Sequence, residues 1–285
     1  MAKDNALKIS YLSKEVIVCP VCEETFHKEE LLTGSGRLIA GGLTEELHRL
    51  YEPSVKYGDV YPLIYQAVVC PKCWFASMND DFAMISEEQR EAVSVSQSSR
   101  FEEISLVFPS LSFYAPRDLI SGAASQYLVM RCYDYYGKEF SPTIKQGLAA
   151  LRASWLLEEM DKKEPEQHYD WLAELFKRKA SFFYSRALAN EGTGEETLSG
   201  LKLFGPDTDK NYGYEGFLYI TGLLQFRYGD TSNIEQRMEN MAGIKRTIAK
   251  MFGLGKSSKN KPGPLLEKAR NLYDNIAKEL QDFDD

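Results

Sequence analysis

Glu15-Val16-Ile17-Val18-Cys19-Pro20-Val21-Cys22-Glu23-Glu24-Thr25-Phe26 and, further on, Leu63-Ile64-Tyr65-Gln66-Ala67-Val68-Val69-Cys70-Pro71-Lys72-Cys73-Trp74-Phe75 decide the fold of this chain. In each stretch a run rich in β-branched residues leads into a Cys-Pro-x-Cys turn and leaves it through an aromatic residue. Such runs favour strands, so each stretch reads as a β-hairpin with its cysteines at the tip. One turn of this kind aims two thiolates at a single ion, and two turns complete the tetrahedral S4 cage that zinc favours in closed sites. The proline after each first cysteine fixes φ and tightens the turn.

The chain has five cysteines, and Cys19, Cys22, Cys70 and Cys73 account for four of them. A rubredoxin-type iron centre at the same thiolates is the alternative to zinc. A thioredoxin-like redox pair would need a βαβ context, which the sequence does not offer. A closed cage has no open coordination position, so the expected role of the metal is to stabilise folding. His27 and His48 are spare donors that four cysteines make unnecessary. His168 reads as a surface residue. Cys132, among Tyr127, Tyr133, Tyr135 and Tyr136, reads as a small core hydrophobe.

Composition sets outer limits. With 285 residues and 44% apolar content, the chain can bury a real core and is long enough for two domains. No stretch approaches the roughly 18–20 apolar residues of a membrane span, and Met1 to Ser10 has no apolar core of a signal peptide. The expected compartment is the cytoplasm, where thiols stay reduced and paired Cys-x-x-Cys turns bind metal before they form disulfides. A formal charge of −8 and a pI of about 5.2 argue against general nucleic-acid binding.

The insertion between the two turns is long and rich in glycine, with Gly36-Arg37-Leu38-Ile39-Ala40 suggesting a further strand. Residues 86–99, polar and serine-rich, read as a frayed helix or a linker. After Pro116 the apolar period becomes helical, over about 118–136, 142–160, 165–189, 212–228, 231–252 and 264–281. Gly137, Pro142, Pro165, Gly192, Gly229 and Pro264 punctuate these segments. In the last of them, Leu265, Leu266, Ala269, Leu272, Tyr273, Ile276 and Leu280 share one face. Ala180, Tyr184, Ala187 and Leu188 have the spacing of the second helix of a tetratricopeptide repeat, with small residues where helices approach and an aromatic filling the gap. Gly222 and Gly229-Asp230 match a second such pair more weakly.

Tyr61 to Ala76, with the upstream Cys19-Pro20-Val21-Cys22-Glu23-Glu24-Thr25-Phe26, resembles a family of uncharacterised bacterial proteins known as a domain of unknown function. Its pattern is a C-P-x-C-x-x-x-F opening and a P-L-x-Y-x-x-x-V-C-P-x-C-G-Y-A second turn, followed by tetratricopeptide-like helices. The resemblance covers most of the chain, most strongly residues 15–82 and 151–190. It implies a fold and a metal site and no activity. Trp74 stands where the family has glycine, and Glu23 holds the same place in the first turn. Glycine suits a position of positive φ, so these residues require either a different turn or a strained one.

The expected fold class is α+β, mostly α: a small zinc-ribbon or rubredoxin-like β domain (1–85), a linker region (86–115), and a tetratricopeptide-like α-helical bundle or short solenoid (116–285). Tyr169, Trp171, Phe176, Phe182, Phe183 and Tyr184 are expected to fill its core, or to line a groove for a ligand or peptide. Lys245, Arg246, Lys250, Lys256, Lys259 and Lys261 make an acid-free stretch that reads as a solvated helix end and loop, or as a dock for an acidic partner. The sequence has no phosphate-binding glycine loop, no G-x-S-x-G elbow and no H-E-x-x-H helix. The expected function is a cytoplasmic protein-interaction or adaptor module with a structural Zn2+ site. The rivals are an iron redox protein and an enzyme with a pocket between the two domains.

Overall fold

The structure, a computed structural model, describes residues 8–199, 201, 204–252 and 263–282. Three antiparallel strand pairs form the N-terminal part, and helices form the rest. Strands β1 (Ser10–Val18) and β2 (Thr25–Leu31) pair so that Val18 faces Thr25 across the first cysteine turn. Strands β5 (Ala67–Val69) and β6 (Ala76–Met78) repeat the arrangement, with Val69 opposite Ala76. The insertion between them contributes β3 (Ile39–Leu43) and β4 (Arg49–Glu52), slightly later than the strand the sequence suggests, and a 3-10 turn over Pro62–Tyr65.

The stretch that reads as a linker folds into two helices, α1 (Glu87–Val95) and α2 (Gln97–Val107). Its serines act at the boundary: Ser86 accepts from the Gln89 amide while the Gln89 side chain accepts from the Ser86 amide, a capping box. Val93, Arg100, Ile104 and the following Phe108 are buried, while Val95 and Leu106 face solvent. A sparse apolar pattern was enough, because neighbouring elements supply the rest of the packing.

Each helix expected after Pro116 is present: α3 (Leu119–Cys132), α4 (Pro142–Lys163), α5 (Tyr169–Thr193), α6 (Gly213–Tyr228), α7 (Ile234–Ala249) and α8 (Gly263–Asp282). Their ends follow local chemistry. Asp118 caps α3 through Ser121, Pro142 opens α4, Gly194 closes α5 in the left-handed region, and Asn233 accepts from the Gln236 amide at the start of α7. Helix α8 buries Leu265, Ala269, Leu272 and Ile276, the centre of the face its sequence shows.

Helix α4 lies between α3 and α5 and is buried for most of its length. Ala180, Tyr184 and Ala187 form the buried seam of α5, and Tyr184 lies over Gly147 of α4, where an added Cβ would stand 2.8 Å from the ring. The aromatic stretch divides: Phe176 and Tyr184 are core residues, whereas Trp171 and Phe182 are 63% and 62% exposed and fill nothing. A single apolar cluster runs from Cys19 and Cys70 through α3 and α4 to Ile276 of α8. Among the described residues no helix is long and apolar enough to cross a membrane.

Candidate metal centre

The two cysteine turns have the same hydrogen-bond geometry. In the first, the Cys19 amide donates to the Glu24 carbonyl at 2.8 Å and the Glu23 amide to the Cys19 carbonyl at 3.0 Å. In the second, the Cys70 amide donates to the Phe75 carbonyl at 2.9 Å and the Trp74 amide to the Cys70 carbonyl at 3.0 Å. Both turns place the residue after the second cysteine in the left-handed region, Glu23 at φ 61° and Trp74 at φ 54°. The turn is therefore kept and the strain tolerated. At Trp74 the side chain brings compensation, because its ring packs on Phe101 at 4.4 Å and edge-on to Phe113 at 5.8 Å.

With the turns facing each other, all four Sγ atoms lie within 4.8 Å of one another. Across the gap Cys19 Sγ is 3.6 Å from Cys73 Sγ, and Cys22 Sγ is 3.5 Å from Cys70 Sγ. Four sulfurs about 2.3 Å from a central ion stand roughly 3.8 Å apart at the corners of a tetrahedron, so the group has the size of an S4 cage. Cys19, Cys70 and Cys73 are buried and Cys22 is half-buried. The Val21 and Cys22 amides hydrogen-bond to Cys19 Sγ, and the Lys72 and Cys73 amides to Cys70 Sγ. Such bonds from the turn favour thiolate over thiol.

Without an ion the thiols compete for charge. Hydrogen bonds from Cys19 and then Cys73 push the Cys70 thiol far down, and in return the hydrogen bond with Cys70 raises Cys19, while those with Cys19 and Cys70 raise Cys73. A buried cluster that cannot carry several negative charges by itself is suited to a cation that neutralises them.

The helices reach this cluster through Arg100. Its guanidinium is buried, and Nη2 donates to the Cys73 carbonyl at 3.1 Å while Nη1 donates to the Val93 carbonyl at 2.5 Å and to Ser96 Oγ. Arg100 thus joins the second turn to both α1 and α2. The two turns are also tied to each other by the Lys72–Glu24 ion pair at 3.5 Å. An arginine in a serine-rich stretch gives no local sign of such a role, and sequence reasoning passed over it.

The remaining candidate donors lie elsewhere. Exposed His27 makes its Nδ1 contact with the Ser13 carbonyl at 2.9 Å. His168 is exposed, at the left-handed position before α5. Cys132 is fully buried, accepts from the Ala76 amide at 3.4 Å, and has its thiol raised by burial, in keeping with a core role. His48 sits in the turn between β3 and β4, stacked on Trp155 of α4 and bonded to Asp207. Of the basic stretch, Lys256, Lys259 and Lys261 lie outside the described residues; Lys245 sits over the Tyr273 ring at 5.3 Å.

The chain is similar to a protein of Borreliella burgdorferi described as "Uncharacterized protein", with 43% identity over 279 residues, covering 97% of this chain and 99% of that one. No solved structure matches. The model of a bacterial family matches residues 12–276, which takes in both cysteine turns and α1 to α7. The chain belongs to that family, described as "Uncharacterized protein conserved in bacteria (DUF2225)".

Proposed function

We propose that this protein is a zinc-stapled helical interaction module of the cytoplasm, in which Cys19, Cys22, Cys70 and Cys73 hold one structural Zn2+. The observation that carries the metal reading is the four-sulfur cluster with cross-turn separations of 3.6 and 3.5 Å. Four protein thiolates leave no position for substrate, so the ion stabilises the fold and takes no part in chemistry. The cage fastens the β1–β2 hairpin to β5–β6, and Arg100 carries that connection into α1 and α2.

The interaction reading rests on the helical half. In this reading α4 and α5, and more loosely α6 and α7, are tetratricopeptide-like pairs, and the close approach of Tyr184 of α5 to Gly147 of α4 supports the first. A groove of about 380 Å3 between α5, α6 and α7 combines Leu188, Leu218 and Ile244 with the polar groups of Ser185, Gln225 and Glu239. Ser185 Oγ is buried there without a hydrogen-bond partner. An extended peptide laid along the groove supplies the apolar contacts.

Elemental analysis of the purified full chain, followed by chelation, tests the metal reading. The expected result is a colourless protein with about one zinc per chain, whose melting temperature falls steeply on chelation and recovers on adding Zn2+. A red protein with visible absorption would assign the thiolates to iron, and a chain whose melting is unaffected by chelation would overturn the structural role. Affinity capture with a Leu218→Arg control tests the groove: a partner held by wild type and lost by the variant supports it, and equal capture by both overturns it.

A further inference from the structure

The turn between β3 and β4 packs on the helical half, and two of its acid–ring contacts define a second site that contains none of the four cysteines. His48 and Trp155 stack with centroids 4.2 Å apart and planes 10° from parallel. Each ring is fixed from behind by a buried carboxylate. Asp207 accepts from His48 Nδ1 at 2.5 Å, and Glu46 accepts from Trp155 Nε1 at 2.5 Å. Asp207 also accepts from the Arg49 amide at 2.7 Å and the Thr208 amide at 2.6 Å. Burial opposes the charge on Asp207, yet the hydrogen bond and electrostatic attraction of His48, followed by the two amide hydrogen bonds, outweigh it and hold the carboxyl below its usual range.

When the imidazole is neutral, an ionised carboxylate at Nδ1 places the proton on Nδ1 and the lone pair on Nε2. Among the described residues no hydrogen-bond partner meets Nε2, and the His48 side chain is still 15% exposed. His48 lines a cavity of about 180 Å3 together with Trp155, Leu156, Val60, Leu63 and Tyr61. That volume is close to the roughly 150 Å3 of an apolar cavity that takes up benzene. The formal charges on the wall are already matched: Arg49 with Asp209 at 2.9 Å, Lys162 with Glu159 at 2.5 Å, and Asp59 with Lys163 at 3.6 Å. The cavity therefore combines apolar surface and aromatic rings with charges that are already paired, and His48 is the one imidazole on its wall.

We propose that this cavity binds a small, neutral, hydroxyl-bearing molecule with a flat body of about benzene size, its O–H donating to His48 Nε2 and its ring lying against the pinned aromatic pair. His48 is the recognition group, and Asp207 is a positioning residue acting through it. The site is independent of the metal cage and of the groove between α5, α6 and α7.

Phenol, with toluene as the isostere lacking the hydroxyl, is the probe. The chain has three histidines, so 15N-histidine spectra of the full protein resolve each ring. The expected result is a His48 signal in the Nδ1–H tautomer whose Nε2 resonance moves saturably with phenol and not with toluene, while His27 and His168 stay still. Asp207→Asn should lose the tautomer preference and weaken phenol at least tenfold. Should that variant fail to fold, Leu50→Trp fills the cavity from half-exposed β4 and should abolish the phenol response while leaving the His48 tautomer intact. A His48 ring in the Nε2–H tautomer, a phenol shift that does not saturate, or an equal response to toluene or in Leu50→Trp would each overturn the proposal.

Discussion

Glu23 and Trp74 occupy the same left-handed position in two turns of identical hydrogen bonding, yet only Trp74 puts its side chain into a packed environment. A non-glycine residue there costs about 1–2 kcal/mol in backbone strain. Glu23 is exposed, so Glu23→Gly should raise stability by about 0.5–1 kcal/mol, once the greater freedom of glycine in the unfolded chain is deducted. Trp74→Gly removes the same strain but also the contacts with Phe101 and Phe113, and should lower stability by about 1–3 kcal/mol. Urea unfolding of the two variants in metal-saturated buffer gives opposite signs; equal signs would refute this division.

Arg100 links the Cys73 carbonyl to Val93 and Ser96 from a buried position. Arg100→Met keeps the apolar stem but leaves two carbonyls without their donor, at a cost of about 3 kcal/mol. The same variant should release its metal to a chelator at least several-fold faster, since the turn loses its anchor to α1 and α2. Unchanged release kinetics in a destabilised variant would confine Arg100 to helix packing.

Gly147 faces Tyr184 across the α4–α5 seam at a distance that leaves no room for a methyl group. Gly147→Ala should cost about 1–3 kcal/mol through overpacking, despite the better helix propensity of alanine. Combining it with Tyr184→Leu should recover part of the loss, and a double-mutant cycle measures that coupling. Additive losses would show that the close approach is not the cause.

Asp207 sets a pH dependence. Its folded value lies below the ordinary 3.8, so the unfolded state binds protons more readily. Its contribution is fully present above the unfolded value and is lost as pH falls through the folded one. The wild-type chain should therefore lose stability as pH is lowered below about 4, and Asp207→Asn should lose less over that window while being less stable at pH 7. Chemical denaturation at pH 7 and pH 3 compares the two slopes.

The hairpins, the grouping of four cysteines, every helix after Pro116 and the buried face of α8 could be read from the sequence. These features rest on short-range order, such as alternation, helical period and turn residues, which the chain writes locally. The Ala180–Tyr184–Ala187 spacing also marked a close helix approach, because small residues and an aromatic at helical intervals do so, and the fold supplies α4 as the partner. Helices α1 and α2 were half visible, as serines that cap helices look like serines in a linker.

Tertiary structure alone decided three things. It made Arg100 an anchor of the cysteine turn from 27 positions away, and it placed Asp207 behind His48 across 159 positions of sequence. It also left Trp171 and Phe182 on the surface while Phe176 and Tyr184 went inside. A lone charged or aromatic residue has the same local signature whether it is solvated or buried. The outcome depends on which distant carbonyl, carboxylate or apolar wall the folded chain brings to it. The two cysteine turns escape this limit, because thiol spacing within each turn is fixed by a few adjacent bonds, and the fold only has to bring the two halves face to face.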